Sequence, residues 1–365
     1  MVFNKIYRLR SSVALVYTNN TLDFFKTNLR ESTKIEINYP NIVEMLLLFD
    51  GNRNTDEIFR SNPFFDKREF VDLISYLNDN CILIEIDENY SQDFISNKYR
   101  TINLLEDFFK KTSDVIKNLQ VLSNKSVMVI GLGAVGTWVI ESLARLGVKN
   151  FIIVDNDKVE LSNLHRQNLF FYDDVGKFKV DCVEKNLNSV SDCNFIKVYE
   201  ALDVGFFDRH KVKTDLIINC ADYPSVDTTS NIIGKACMEL NIPHLIGGGY
   251  NLHLTLIGQA VIPYQTACVK CFDTALRKIN DGQLTGVRKL KRLDRKIGSF
   301  GPLCAISASI TAIEAFKMLI EKYDRLVTAG KRMEFRVKEQ DFFIKEILKD
   351  ENCSWCGKNI LNYIN

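Results

Sequence analysis

The chain has 365 residues, 46% hydrophobic and 25% charged, with 47 Lys and Arg against 46 Asp and Glu, for a formal net charge of +1. That length accommodates one large or two modest domains with a real core, and the even balance leaves no basic excess for nucleic acid or an anionic membrane. The N-terminus MVFNKIYRLRSS lacks the apolar centre of a secretory signal, so the ten cysteines read as thiols or metal ligands in a cytoplasmic protein. No apolar run is expected to span a bilayer. The best candidate, His244 to Pro263, is broken by Gly247-Gly248-Gly249, Asn251 and His253.

Residues 1–87 read as a separate small α+β domain. Ser12 to Tyr17 and Lys34 to Ile37 have strand patterns, and Asn41 to Phe49 is an apolar helix ended by Asp50-Gly51. Thr55 is placed to cap a short helix, and Asp66 opens a longer one with Phe70, Leu73, Ile74 and Leu77 on one face. Cys81 to Ile86 alternates as a strand. The order is that of a winged helix, and LLLFDGNRNTDEIF…FVDLISYLNDNCILIEI resembles the PqqD-like peptide-recognition elements of ribosomal peptide pathways. A DNA-binding winged helix is the bland alternative, but the presumed recognition helix is acidic as often as basic. A peptide can instead add a strand to an exposed edge or lie in a groove. Residues 88–123 are polar, then helical, and read as a connector.

The third segment, 124–365, carries the chemistry. Ser126 to Ile130 is a β-branched apolar run. Gly131, Gly133 and Gly136 follow it, and Thr137 to Leu146 has helical apolar spacing. Strand, glycine turn and helix is the context that gives G-x-G-x-x-G its meaning: the backbone approaches a phosphate at a helix N-terminus. A second strand, Phe151 to Val154, ends in Asp155, where a carboxylate can hold a ribose hydroxyl. A lone motif of this kind also fits an NAD-dependent dehydrogenase. However, Asp157, Glu160, Asn163, Arg166, Gln167, Lys177 and Lys179 crowd charge beyond the strand end, which suits a polyphosphate with Mg²⁺ better than a nicotinamide.

D-x-D-x-V-E-x-S-N-L-x-R-Q followed by V-G-x-x-K resembles the ATP site of the E1/ThiF/MoeB adenylating family over roughly residues 126–357. The resemblance implies an α/β fold: a Rossmann-like adenylation domain with a mostly parallel sheet, an antiparallel extension and helices on both faces. It implies ATP over Gly131 to Gly136, with its ribose on Asp155. It places Asn163, Arg166 and Lys179 on the phosphates, and Asp157, Gln167 and Lys177 around them. Asp222, just past the strand Leu216 to Asn219, would hold Mg²⁺; an N-cap for the helix from Val226 is its plainer role, which Asp227 can also fill. Arg100 lies where the family places an arginine that reaches across a homodimer, with a solvated linker arginine as the alternative.

Cys268-x-x-Cys271 and Cys353-x-x-Cys356 each offer two thiolates from one turn, and together they make a closed tetrahedral shell for a structural Zn²⁺. A redox C-x-x-C is the competitor. Gly247-Gly248-Gly249-Tyr250 is expected to let an extended substrate tail come close, or to be a plain turn. The stretch from Phe272 to Ser299, with ALRKINDGQLTGVRKLKRLDRK, is basic and read as flexible; it lacks the reactive cysteine of relatives that hand an activated protein to sulfur. Cys304 is the one remaining candidate thiol, at a helix start where packing is the better expectation.

The set resembles the peptide-modifying enzymes of the microcin C type. It implies adenylation of a carboxylate on a ribosomally made precursor peptide, for cyclisation or AMP attachment in antibiotic biosynthesis. The alternative inside the family is adenylation of a ubiquitin-like sulfur carrier of the ThiS/MoaD type; outside it stands a silent nucleotide-binding scaffold.

Overall fold

The computed structural model describes residues 3–39, 41–211, 213–247, 254–283 and 298–357, with the backbone alone at 254–256 and 279–283. The chain forms two compact units, Met1–Gln120 and Val121–Asn365.

The first unit holds β1 (Ile6–Leu9), β2 (Val13–Thr18), β3 (Thr21–Lys26), β4 (Glu31–Glu36), α1 (Ile42–Leu46), β5 (Asp50–Asn54), α2 (Thr55–Arg60), α3 (Lys67–Asp79), β6 (Leu83–Glu85), α4 (Gln92–Glu106) and most of α5 (Thr112–Asn124). Two three-stranded sheets form, β5-β1-β6 and β2-β3-β4. Phe70, Ile74 and Leu77 of α3 bury one helical face against Tyr7, Met45, Phe49 and Ile58. Asp66 caps α3 through the Arg68 and Glu69 amides. Thr55 is not the cap of α2. Asn54 is, in a reciprocal capping box with Glu57, while Thr55 is buried in the first turn. Strand β5, unexpected from sequence, occupies the Asp50-Gly51 region, where Gly51 adopts φ +88°.

The second unit is built on a six-stranded sheet with β7 (Ser126–Ile130), β8 (Asn150–Val154), β9 (Asn194–Val198), β10 (Leu216–Asn219), β11 (His244–Ile246) and β13 (Ala260–Val261). Its order is β13-β11-β10-β7-β8-β9, parallel throughout except β13 at the edge. Successive residues of β7 are all buried from Val127 on, so both faces of the sheet are covered. On one face Met128, Ile130 and Ile217 meet Phe206 of α8 (Phe206–Arg209) and Ile233 of α9 (Val226–Glu239).

The chain leaves β7 for β8 and β9 on one side, then returns to β10 and β11 on the other. The order therefore reverses between β7 and β10, the place where open α/β sheets bind ligands. Helices α6 (Ala134–Leu146) and α7 (Lys179–Leu187) complete the crossovers, and a second sheet of β12 (Leu254–Ile257), β14 (Lys331–Arg336) and β15 (Asp341–Glu346) gives the antiparallel extension.

Two expectations change. Residues 269–283 form the helix α10, so the start of the basic stretch is ordered as helix, while 284–297 and Gly248 to Tyr250 lie outside the described residues. Among the described residues, α11 (Gly301–Leu319) is the one helix that by length and composition alone could cross a bilayer, and it is mostly buried in the protein. It packs along α6, with Leu303, Ala308, Ala312 and Ala315 in the interior.

Candidate functional site

A cleft of about 900 Å³ opens at the reversal point, over the C-terminal ends of β7, β8 and β10. Of the residues expected at a nucleotide site, Gly131, Gly133, Asp155, Asp157 and Asn163 line it, as do Arg166, Gln167, Lys179 and Asp222. Gly136 and Lys177 do not: Gly136 is buried in the first turn of α6, and the Lys177 ammonium faces solvent 4.0 Å from Asp174. Arg100 stands on α4 of the first unit, its guanidinium 5.1 Å from the Tyr99 ring centroid.

The glycines differ in their reasons. Gly131 has φ +92°, and a Cβ there would lie 2.6 Å from the Ala221 nitrogen, so the turn after β7 presses on the loop after β10. A Cβ on Gly136 would lie 2.0 Å from the Gly131 carbonyl oxygen, which keeps α6 tight on the turn. At Gly133, the N-cap of α6, a Cβ would meet nothing within 4 Å. The missing side chain there leaves open cleft above the amides of a helix N-terminus.

Asp155 directly follows β8, and both of its oxygens accept backbone hydrogen bonds: Oδ2 from the Leu132 amide at 2.7 Å and Oδ1 from the Asp157 amide at 2.8 Å. Burial holds its carboxyl above the usual range, and Lys179, 4.0 Å away, opposes that shift. The Lys179 ammonium, almost wholly buried, pairs with the exposed Asp157 at 2.8 Å. Asn163 is buried and accepts the Glu160 amide through Oδ1. Arg166 donates to the Ser162 carbonyl at 2.6 Å. Gln167 is buried, with Oε1 lacking a partner among the described residues.

Asp222 is exposed in the cleft and makes no side-chain hydrogen bond or ion pair among the described residues. Its plainer role is not realised. Ser225 caps α9 by accepting the Thr228 amide, and neither Asp222 nor Asp227 does so. Sequence reasoning missed three contributors: Glu200 to Leu202 beyond β9, Asn219 at the end of β10, and Gly298-Ser299. The rule that parallel sheets bind ligands at strand C-termini points to the first two once the strands are assigned. Burial pushes the thiol of Cys220, on the cleft wall, up to about 12, so it is protonated and unreactive at neutral pH. Cys304 is fully buried, and its thiol donates to the Phe300 carbonyl at 3.3 Å.

Away from the cleft, Cys268, Cys271, Cys353 and Cys356 bring four buried sulfurs within 4.8 Å of one another. Cys268 lies 3.6 Å from Cys353 and Cys271 lies 3.4 Å from Cys356, far beyond a disulfide bond. Four sulfurs about 2.3 Å from a tetrahedral zinc stand about 3.8 Å apart, so the donor set fits that ion. Hydrogen bonding from Cys268 and from the Asp350 amide lowers the Cys271 thiol toward the thiolate a metal needs. A Cβ at Gly357 would lie 2.4 Å from the Glu351 carbonyl oxygen, which keeps the closing turn at glycine.

Comparison with known proteins agrees with this geometry. A ThiF family model matches residues 101–355. The sulfur carrier protein ThiS adenylyltransferase of Escherichia coli is 27% identical over 244 residues, covering 65% of this chain and 88% of its own. The molybdopterin-synthase adenylyltransferase of the same organism is 28% identical over 243 residues, covering 66% and 90%. Among solved structures, E. coli MccB with ATP superposes with a TM-score of 0.75 at 22% identity over 96% of this chain and 99% of that one, which is a likeness of fold. With a glycine turn, a buried lysine and an unengaged aspartate gathered in one cleft of that fold, the chain belongs to the ThiF family and is an ATP-dependent adenylyltransferase.

Proposed function

We propose that this enzyme adenylates a carboxylate on a ribosomally made precursor peptide, preparing it for cyclisation or AMP attachment. The observation that carries the chemistry is Asp222. It stands past β10, across the reversal point from the glycine turn, with no structural task of its own. ATP lies with its phosphates over Gly131 to Gly136 and its ribose at Asp155. Lys179, Arg166 and Asn163 meet the phosphate oxygens, and Gln167 lines the same space. Asp222 is an exposed carboxylate of the kind that binds Mg²⁺ together with phosphate oxygens, and the ion would neutralise charge on the α-phosphate and the leaving group.

A carboxylate oxygen of the peptide attacks the α-phosphorus. The bond from that phosphorus to the bridging oxygen breaks, pyrophosphate leaves, and an acyl-adenylate remains. The cations work by meeting charge as it develops, and the cleft works by alignment.

A peptide, rather than a carrier protein, is favoured by the sequence between Phe272 and Ser299, which holds no cysteine to take up an acyl group. The first unit, residues 1–120, supplies a separate body able to hold a leader segment. Structures of E. coli MccB include complexes with the MccA peptide, in keeping with that choice. The sulfur-carrier reading is favoured by the curated relatives that share the second unit.

The deciding experiment is pyrophosphate exchange with two panels, short peptides with free carboxylates and Gly-Gly-ended carrier proteins. Peptide-dependent exchange lost in Asp222→Ala and Arg166→Ala supports the proposal; exchange with carriers alone overturns it. We further propose a homodimer in which Arg100 serves a second copy's triphosphate. Mixing inactive Arg100→Ala and Asp222→Ala chains should then restore activity.

A further inference from the structure

The loop that carries Asp222 leaves β10 through Cys220 and Ala221, and the main chain of Ala221 is held at both of its polar groups. Its N–H donates to Asn219 Oδ1 at 3.1 Å. Its carbonyl accepts from Thr229 Oγ1 at 2.8 Å. The two side chains are tied to each other, since Asn219 Nδ2 donates to Thr229 Oγ1 at 3.1 Å and to Ser230 Oγ at 3.2 Å. Asn219 is 2% exposed and Thr229 is wholly buried, so neither group has water as a substitute partner.

The chemistry fixes the orientation of the amide. An N–H can only donate, so the Asn219 oxygen must face Ala221, which leaves its nitrogen for the two hydroxyls. Thr229 sits in the first turn of α9, on the far side of the loop, where its hydroxyl also lies 3.1 Å from the Val226 carbonyl. The closed ring Asn219–Ala221–Thr229 thus links the last residue of β10 to the helix that follows. Ala221 is also the residue on which the phosphate turn rests, because its nitrogen is what a Cβ on Gly131 would strike.

We propose that Asn219 and Thr229 are positioning residues for adenylation: they clamp the Ala221 peptide so that Asp222 is presented at a fixed height over the glycine turn. This rests on the role given to Asp222 above. Neither side chain needs to touch the nucleotide. Their effect is to remove backbone freedom next to a carboxylate that has no contact of its own to hold it.

The test uses Thr229→Val, which keeps the shape and deletes the hydroxyl, with Thr229→Ser as the conservative control and Asn219→Leu as a second probe. Hydrogen exchange of the full chain is followed at Ala221 and at β7, alongside pyrophosphate-exchange kinetics. The clamp predicts faster exchange at Ala221 with β7 unchanged. It also predicts a fall in kcat of about tenfold or more with KM for ATP within about threefold, and near-normal behaviour of Thr229→Ser. Unchanged exchange at Ala221 in Thr229→Val overturns the clamp whatever the activity. Faster exchange with wild-type kcat overturns the positioning role. A loss shared equally by Thr229→Ser and Thr229→Val, or exchange raised across β7, reduces the pair to general stability and also overturns it. Asp222→Ala is run beside them: full activity there dismisses Asp222 itself, while the exchange result at Ala221 still stands or falls alone.

Discussion

Lys179 and Asp157 form an ion pair at 2.8 Å in which the lysine side chain is 8% exposed and the aspartate 64%. The asymmetry matters. The ammonium has been stripped of most of its water when the enzyme folds, whereas its partner can swing into solvent at little cost. In the proposed site, an arriving phosphate oxygen would replace Asp157 at a cation that needs no further desolvation, which is how preorganised charge gains over charge in water.

Lys179→Met should therefore lower peptide-dependent pyrophosphate exchange by about a hundredfold or more. The helix α7 that it opens should persist, since Val180, Val183 and Leu187 remain to anchor it. Exchange within about threefold of wild type, in a chain with native circular dichroism, would remove Lys179 from the chemistry.

The legible part of this site is the part written consecutively. Gly131, Asp155, Asn163, Arg166 and Lys179 follow one another at spacings that a single β-turn-α-β unit imposes, so the order of residue types was enough. Asn219 and Glu200 to Leu202 were not legible in that way. They reach the cleft because Ile130 pairs with Asn219 and Val154 with Val198, a register that brings the ends of separate strands level. In the first unit the strand Asp50–Asn54 has no apolar alternation to announce it and exists by pairing with β1. There tertiary context decided what local pattern left open.

The cysteine cluster should hold one zinc per chain. Metal analysis of protein purified without added zinc should find about one equivalent, and Cys356→Ser should lose it together with several kcal/mol of stability. Because four thiolates leave no open coordination position, the fraction that stays folded should keep its kcat. Recovery of a zinc-free, fully stable protein would contradict the assignment.

His244 makes stability depend on acid. It is fully buried at the start of β11, its Nδ1 lies 3.2 Å from the Ile242 carbonyl, and its Nε2 has no partner among the described residues. Burial pulls its pKa down to about 4 from an ordinary 6.5. The unfolded chain therefore binds a proton that the native chain refuses between those values, and native stability must fall as pH drops through that window. The loss is on the order of a few kcal/mol by pH 4. Denaturant midpoints measured at pH 7.5 and pH 5 should diverge in wild type and draw closer in His244→Leu; an equal divergence in both would clear His244 of the effect.

The glycine turn separates folding from binding. Gly131→Ala forces a Cβ against the Ala221 backbone at a residue with φ +92°, and Gly136→Ala drives one onto the Gly131 carbonyl oxygen. Backbone is met in both cases, not the end of a flexible side chain, so each should destabilise by about 2 kcal/mol or more, seen as a lower melting temperature without ligand. Gly133→Ala meets open space instead, so its cost is confined to the preference of an N-cap for glycine over alanine, about 1 kcal/mol. Its melting temperature should fall by only about 2–4 °C, less than in either of the other two variants. Yet the added methyl occupies the space above the α6 amides that the proposed site gives to the phosphates, so KM for ATP should rise by about tenfold or more. If Gly133→Ala binds ATP normally, the triphosphate does not cross that turn; if Gly131→Ala is as stable as wild type, the close approach of the two loops is not what fixes glycine there.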